Sequence, residues 1–147
     1  MCSRWHAHPP LAAKRRPISG SLKRAKLAQR VGVIKGILWH QGESDSGNAD
    51  TAKIYEQQLH AMIAAWRKDL GNEKISVVVG ELGQFFKRAK HKSTVDNALK
   101  VLPNKVKHTA WVSSEGLGHK GDVVHFNAAA YREFGKRYAS KIKSLQE

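Results

Sequence analysis

No Asp or Glu precedes Glu43 in this 147-residue chain. Residues 1–30 carry eight Lys and Arg and no acid, which is more than half of the formal net charge of +14. Such an arm is suited to nucleic acid or an anionic surface through counterion release, or it is a solvated leader. No helix-turn-helix pattern, zinc-ligand spacing or aromatic RNA-binding motif accompanies it, so the leader is the expected reading. Cysteine is nearly absent. The lone Cys2 excludes an internal disulfide and leaves the redox compartment open. Long apolar runs are missing too. Nothing reaches the ~20 residues of a membrane span, and the basic start lacks the ~7–15 apolar residues of a secretory signal core. No membrane partner is expected, and localisation stays unknown.

What is present suits one globular domain. Hydrophobic residues make up 41%, with four Trp, four Phe and three Tyr. Pro9, Pro10 and Pro17 disfavour helix in the first 17 residues, which read as a disordered basic leader ahead of a domain over 18–147. A short helix is expected within 19–32, stopped by Gly32. Val33–Trp39 reads as a strand covered on both faces of a parallel sheet. Asp50 is a candidate cap for the next helix, whose Tyr55, Leu59, Met62, Ile63, Trp66 and Leu70 form one apolar stripe. Ile75–Val79 reads as a second strand. A helix ending before Pro103 and a strand in "HTAWVSS" follow. The last helix carries the stripe Tyr131, Phe134, Tyr138, Ile142 and Leu145. The alternation α-β-α-β-α-β-α implies an α/β fold with a parallel sheet, whose ligands sit at the carboxyl ends of the strands.

Two polar clusters fall at those ends. In "GDVVHFN", Asp122 lies three residues before His125. A carboxylate so placed can fix the imidazole tautomer and leave the other ring nitrogen as a general base. It could equally serve to start the following helix. In "WHQGESD", the Gln41 amide could donate to a developing oxyanion. Glu43 could bind a substrate hydroxyl or brace the loop, and both could simply satisfy a tight turn, as Ser44, Asp45 and Asn48 are expected to. Convergence of His40, Asp45, His119, Asp122 and His125 on a metal is conceivable, but their spacing matches no zinc motif, and no metal is expected.

The two clusters together, with "YEQQLHAMIAAWRKDLG" and "VVVGELGQF" between them in order, resemble the carbohydrate acetylesterases of the SGNH hydrolase superfamily. The likeness is to the sialate O-acetylesterase-like branch, carbohydrate esterase family six, and runs from about Ser21 to Gln146. It implies a three-layer α/β/α fold with a short parallel sheet. It also implies removal of acetyl groups from sugar hydroxyls by a Ser-His-Asp mechanism, without metal or other cofactor. Under the resemblance His125 is the base, Asp122 its orienter, and Gln41 with Gly42 the oxyanion block. Glu43 is a structural or substrate-side residue, and the partner is an acetylated saccharide. The family's nucleophile block, a Gly-x-Ser-Asn after its first strand, has no counterpart in residues 1–35. Ser3, Ser19 and Ser21 stand in the wrong contexts. The expectation is therefore an amino-terminally truncated fold, inactive alone unless completed by another polypeptide or an oligomer. The alternative is a non-catalytic domain that binds saccharide or nucleic acid through its basic surface.

Overall fold

A computed structural model of the chain describes residues 15–147. In order they form helix α1 (Arg15–Ala28), strand β1 (Gly36–Trp39), helix α2 (Ala49–Asp69), strand β2 (Ser76–Gly80), helix α3 (Lys92–Lys105), strand β3 (Thr109–Val112) and helix α4 (Ala128–Ser144). The expected alternation is present. Most of the expected leader, residues 1–14, lies outside the described residues. Arg15, Arg16 and Pro17 open α1. Pro17 is accommodated because first-turn N–H groups have no intrahelical acceptor to lose.

The three strands pair in parallel in the order β1-β2-β3, with Gly36 opposite Ser76 and Val77 opposite Thr109. β2 is central and fully buried. Strand side chains alternate between faces, so its valines split between two layers. Val77 and Val79 pack with Tyr55, Leu59 and Ile63 of α2 and with Val95, Leu99 and Leu102 of α3. Val78 packs with Ala110 and Val112 of β3 and with Phe134 and Tyr138 of α4. Each such side chain contributes roughly 1.5–3 kcal/mol on full burial. The result is α2 and α3 on one side of the sheet and α4 on the other.

Several local expectations are corrected. The first strand begins at Gly36 rather than Val33, and it is not covered on both faces: Leu38 is 59% exposed and Val33 78%. Among the described residues this strand has β2 as its neighbour on one side. Asn48, not Asp50, caps α2; its side chain accepts from the Asp50 and Thr51 N–H groups. Helix α3 does not stop before Pro103 but continues to Lys105, where Val106 N–H closes onto Leu102 O at 2.9 Å. Buried Leu99 and Leu102 hold the turn that contains the proline. In α4 Tyr131 leaves the expected stripe and is 52% exposed.

Arg67 ties the amino ends of two strands to α2. Its Nε and Nη2 donate to Ile75 O at 3.1 and 2.9 Å, and Nη2 also reaches Lys107 O at 2.8 Å and His108 O at 3.1 Å. The side chain is buried, so desolvation lowers its pKa from the usual guanidinium value. Replacement by Met would keep the stem and remove the guanidinium from three carbonyls, of which His108 O keeps the Val77 N–H at 3.0 Å. Arg67→Met is expected to destabilise the fold by about 3 kcal/mol, read as a lower urea midpoint at unchanged slope.

Candidate active site

The chain leaves β1 through His40-Gln41-Gly42-Glu43, the carboxyl end of the sheet's edge strand. This turn is heavily tied. Buried Tyr55 donates its hydroxyl to Gln41 O at 2.7 Å, and burial pushes that phenol's pKa up. Gln41 is itself buried, and its Nε2 donates to Asp45 Oδ2 at 2.6 Å. One amide proton of Gln41 is thus committed to a carboxylate and one is left for another acceptor. Gly42 has φ of 149°, and a Cβ there would come within 2.6 Å of Val95 Cγ1. The position therefore favours glycine in conformation and in space. Gly42 N–H donates to Glu43 Oε2 at 3.1 Å, while Ser46 Oγ donates to Glu43 O at 2.7 Å. Glu43 folds back on its own turn, with Oε1 3.6 Å from His40 Nε2.

His40 sits edge-on to Phe126 and Phe134, with ring centroids 5.6 and 5.5 Å away. Desolvation lowers its pKa, against the opposing pull of Glu43 and Asp96. This ring contact couples the first turn to the second, because Phe126 follows His125 directly.

The second turn lies between β3 and α4. His119 and Phe126 form an antiparallel bridge, and Lys120 N–H donates to His125 O at 3.0 Å. Between them Val123 takes φ of 52°, a left-handed conformation that is unfavourable for a β-branched residue. The turn is organised by one carboxylate. Asp122 Oδ1 accepts from Val124 N–H at 3.0 Å and His125 N–H at 2.8 Å, and Oδ2 lies 2.6 Å from His125 Nδ1. The His125 hydrogen bonds, backbone first, hold Asp122 well below the usual carboxylate range. An ionised carboxylate only accepts, so the Nδ1 position carries the proton. In neutral His125 the Nε2 lone pair is then free, on a side chain that is 42% exposed. That is the arrangement of a general base with its orienter. Asp122 does not start α4; Asn127 does, accepting from Ala130 N–H at 2.8 Å.

Among the described residues no serine hydroxyl hydrogen-bonds to His125 Nε2. Ser46 and Ser114 are fully buried, and Ser114 Oγ is bonded to Glu81 and Leu82. The five-residue metal grouping is not assembled either. His119 Nδ1 accepts from Gly121 N–H at 3.0 Å, Asp45 faces Gln41, and no cluster of three potential ligands occurs among the described residues.

Sequence reading passed over Glu81, at the carboxyl end of β2. Its Oε2 accepts from Ser113 Oγ at 3.0 Å, Ser114 N–H at 2.7 Å and Ser114 Oγ at 3.1 Å. These bonds outweigh its desolvation and hold its pKa below the usual range. Glu81 thereby clamps the start of the loop that carries Asp122 and His125. The available signal was its place: an acid directly after a buried strand of a parallel sheet.

A three-stranded parallel sheet with helices on both faces, and with the Gln41 turn and the Asp122–His125 turn at its carboxyl edge, defines an α/β fold. The family described as carbohydrate esterase, sialic acid-specific acetylesterase, matches residues 3–144, and the chain belongs to it. That match starts ahead of the Ser21 at which the motif resemblance begins. A probable carbohydrate esterase of Arabidopsis thaliana is 27% identical over 116 residues, which cover 77% of this chain and 42% of that protein. A solved structure of the same Arabidopsis protein superposes with a TM-score of 0.83 at 24% identity, over 92% of this chain and 57% of that one. A carbohydrate acetylesterase from Xanthomonas citri superposes with a TM-score of 0.67 at 21% identity, over 78% of this chain and 26% of that one. At these identities the structural likeness speaks for the fold. The chain spans less than two thirds of the length of each of these relatives.

Asp122 has a pH signature. Its folded-state pKa is depressed below the ordinary 3.8. The stability it contributes is therefore complete well above that value and is lost as pH falls through it towards the lower folded pKa. Between about pH 5 and about pH 2 the wild-type unfolding midpoint should fall more steeply than that of Asp122→Asn. Above that window the two should run parallel.

Proposed function

We propose that this chain supplies the base, its orienter and one oxyanion donor of a serine esterase that removes acetyl groups from sugar hydroxyls, with the nucleophile provided from outside residues 15–147. The observation that carries this reading is the Asp122–His125 pair. Its 2.6 Å contact sets the proton on Nδ1 and leaves Nε2 to take a proton from an attacking hydroxyl. The unprotonated base would accept that proton as the hydroxyl oxygen adds to the acetyl carbon. The imidazolium so formed would be held by Asp122 and would then protonate the departing sugar oxygen. Water attack on the acyl group, with His125 again as base, would release acetate and restore the nucleophile.

Negative charge on the carbonyl oxygen needs preorganised donors. The uncommitted N–H of Gln41 is our candidate, held in place by Asp45 on the amide and by Tyr55 on the backbone carbonyl. Glu43 takes the structural role of the two open to it, because its Oε2 is engaged by Gly42 N–H and its carbonyl by Ser46. Family membership supports an acetylated carbohydrate as the substrate. A triad without its nucleophile keeps only the small rate enhancement of the remaining groups.

The test compares acetate release from an aryl acetate and from O-acetylated sialic acid by the purified chain and by His125→Ala. Equal and near-background rates are expected, while the O-acetylated sugar should perturb the His125 ring signals in NMR more than the deacetylated sugar does. Release that is lost in His125→Ala would place the nucleophile within this chain and overturn the proposed source. Absence of any sugar-dependent perturbation would remove the support for the saccharide.

A further inference from the structure

The loops that follow β2 and β3 meet at a pair of rings that the proposed chemistry does not use. Phe85 and His119 lie with centroids 5.2 Å apart, tilted by 56°. Both are half-buried. Phe85 is held from three sides. It leans on His119, it stands edge-on to buried Phe126 at 5.0 Å, and it lies over Gly83, where a Cβ would come within 2.5 Å of its ring. His119 is fixed by its own turn. Its Nδ1 accepts from Gly121 N–H at 3.0 Å and from Val123 N–H at 3.4 Å. A ring nitrogen that accepts carries no proton, so the ring proton is on Nε2. That Nε2–H has no hydrogen-bond acceptor among the described residues. His119 is also tied to the base: it bridges Phe126, the residue after His125, and the next residue's N–H donates to His125 O.

We propose that Phe85 and His119 form the subsite for the departing sugar. The Phe85 ring covers an apolar C–H face of the saccharide, and His119 Nε2–H donates to one of its oxygens. The inference rests on the esterase reading and deepens it, by naming the residues that select a sugar over a simple alcohol. A saccharide presents both an apolar face and a set of acceptors, and a site for it needs a surface and a directed donor together. Here the donor is set in advance by two backbone groups and the ring by three neighbours, so little ordering is left to binding. A site built to hydrogen-bond a hydroxyl discriminates against a ligand that lacks it.

Exposed Lys87, Arg88 and Lys90 follow Phe85, which makes a single-stranded nucleic acid the competing ligand. Such ligands stack successive bases on successive rings. Phe86 and Phe126 are 4% and 3% exposed, so of the phenylalanines in this cluster Phe85 alone keeps surface to offer. One ring beside one fixed donor suits a sugar unit better than a run of bases.

The test follows the histidine ring nitrogen signals of the whole chain by NMR as O-acetylated sialic acid and, separately, the deacetylated sugar are added. The subsite reads the sugar and not the ester. His119 Nε2 should therefore shift with both sugars, whereas His125 should respond more to the acetylated one. Ethyl acetate, an acetyl ester without a sugar, should leave His119 unmoved. His119→Asn keeps an acceptor where Nδ1 stands and removes the Nε2 donor. It should weaken sugar binding about tenfold, with the Val124 and His125 amide signals in place to show an intact turn. Movement of His125 alone, or unchanged affinity in His119→Asn, overturns the subsite and leaves the esterase reading standing. Movement of His119 alone supports the contact and counts against the esterase reading. Movement of neither overturns both. A short single-stranded DNA that displaces the sugar and shifts His119 further overturns the saccharide as occupant.

Discussion

The valines of β2 face both ways, and no position on that strand can be left in water without cost. Burying Val77 and Val79 requires α2 and α3; burying Val78 requires α4. A strand so enclosed needs a neighbour on each side to satisfy its main chain, and β1 and β3 fill those places in parallel. Parallel pairing sends all three carboxyl ends to the same edge. His40 to Glu43, Glu81, and the loop from Ser113 to Asn127 are therefore neighbours because of a hydrophobic requirement, before any of their polar chemistry is considered.

At that edge the polar groups are held mainly by carboxylates that accept. Asp45 takes the amide of Gln41, Glu81 takes two serines, and Asp122 takes two backbone N–H groups and an imidazole. Each fixes a donor whose orientation would otherwise be free. The aromatic wedge of His40, Phe126 and Phe134 keeps the turn after β1 and the turn before α4 in contact. Preorganisation here is divided: ionic hydrogen bonds set the angles, and ring packing sets the spacing.

How far the sequence reveals this depends on how local each cause is. The stripe of α2 is readable because its period repeats through a 21-residue helix. The Asp122–His125 pair is readable as a candidate because three residues of separation allow contact within one turn. The exposure of Leu38 is not readable, since a strand's burial is decided by neighbours distant in the chain. Nor is the Gln41–Asp45 bond, because no periodicity fixes loop torsions. Glu81 escaped notice because its partners lie 32 and 33 residues away. The family likeness carried the proposed roles of Gln41 and Glu43, which spacing alone left open.

Gly80 ends β2 beneath α4, where a Cβ would lie 2.0 Å from the Tyr138 hydroxyl. That hydroxyl passes over the glycine to donate to Trp39 O at 2.8 Å, so α4 reaches the edge strand across the central one. In terms of permitted sequence change the two positions are epistatic. A side chain at Gly80 is barred while Tyr138 is present, and shortening Tyr138 alone leaves a void and takes a donor from Trp39 O. Either change becomes tolerable mainly in the company of the other, so the effects of single substitutions at these positions will not add.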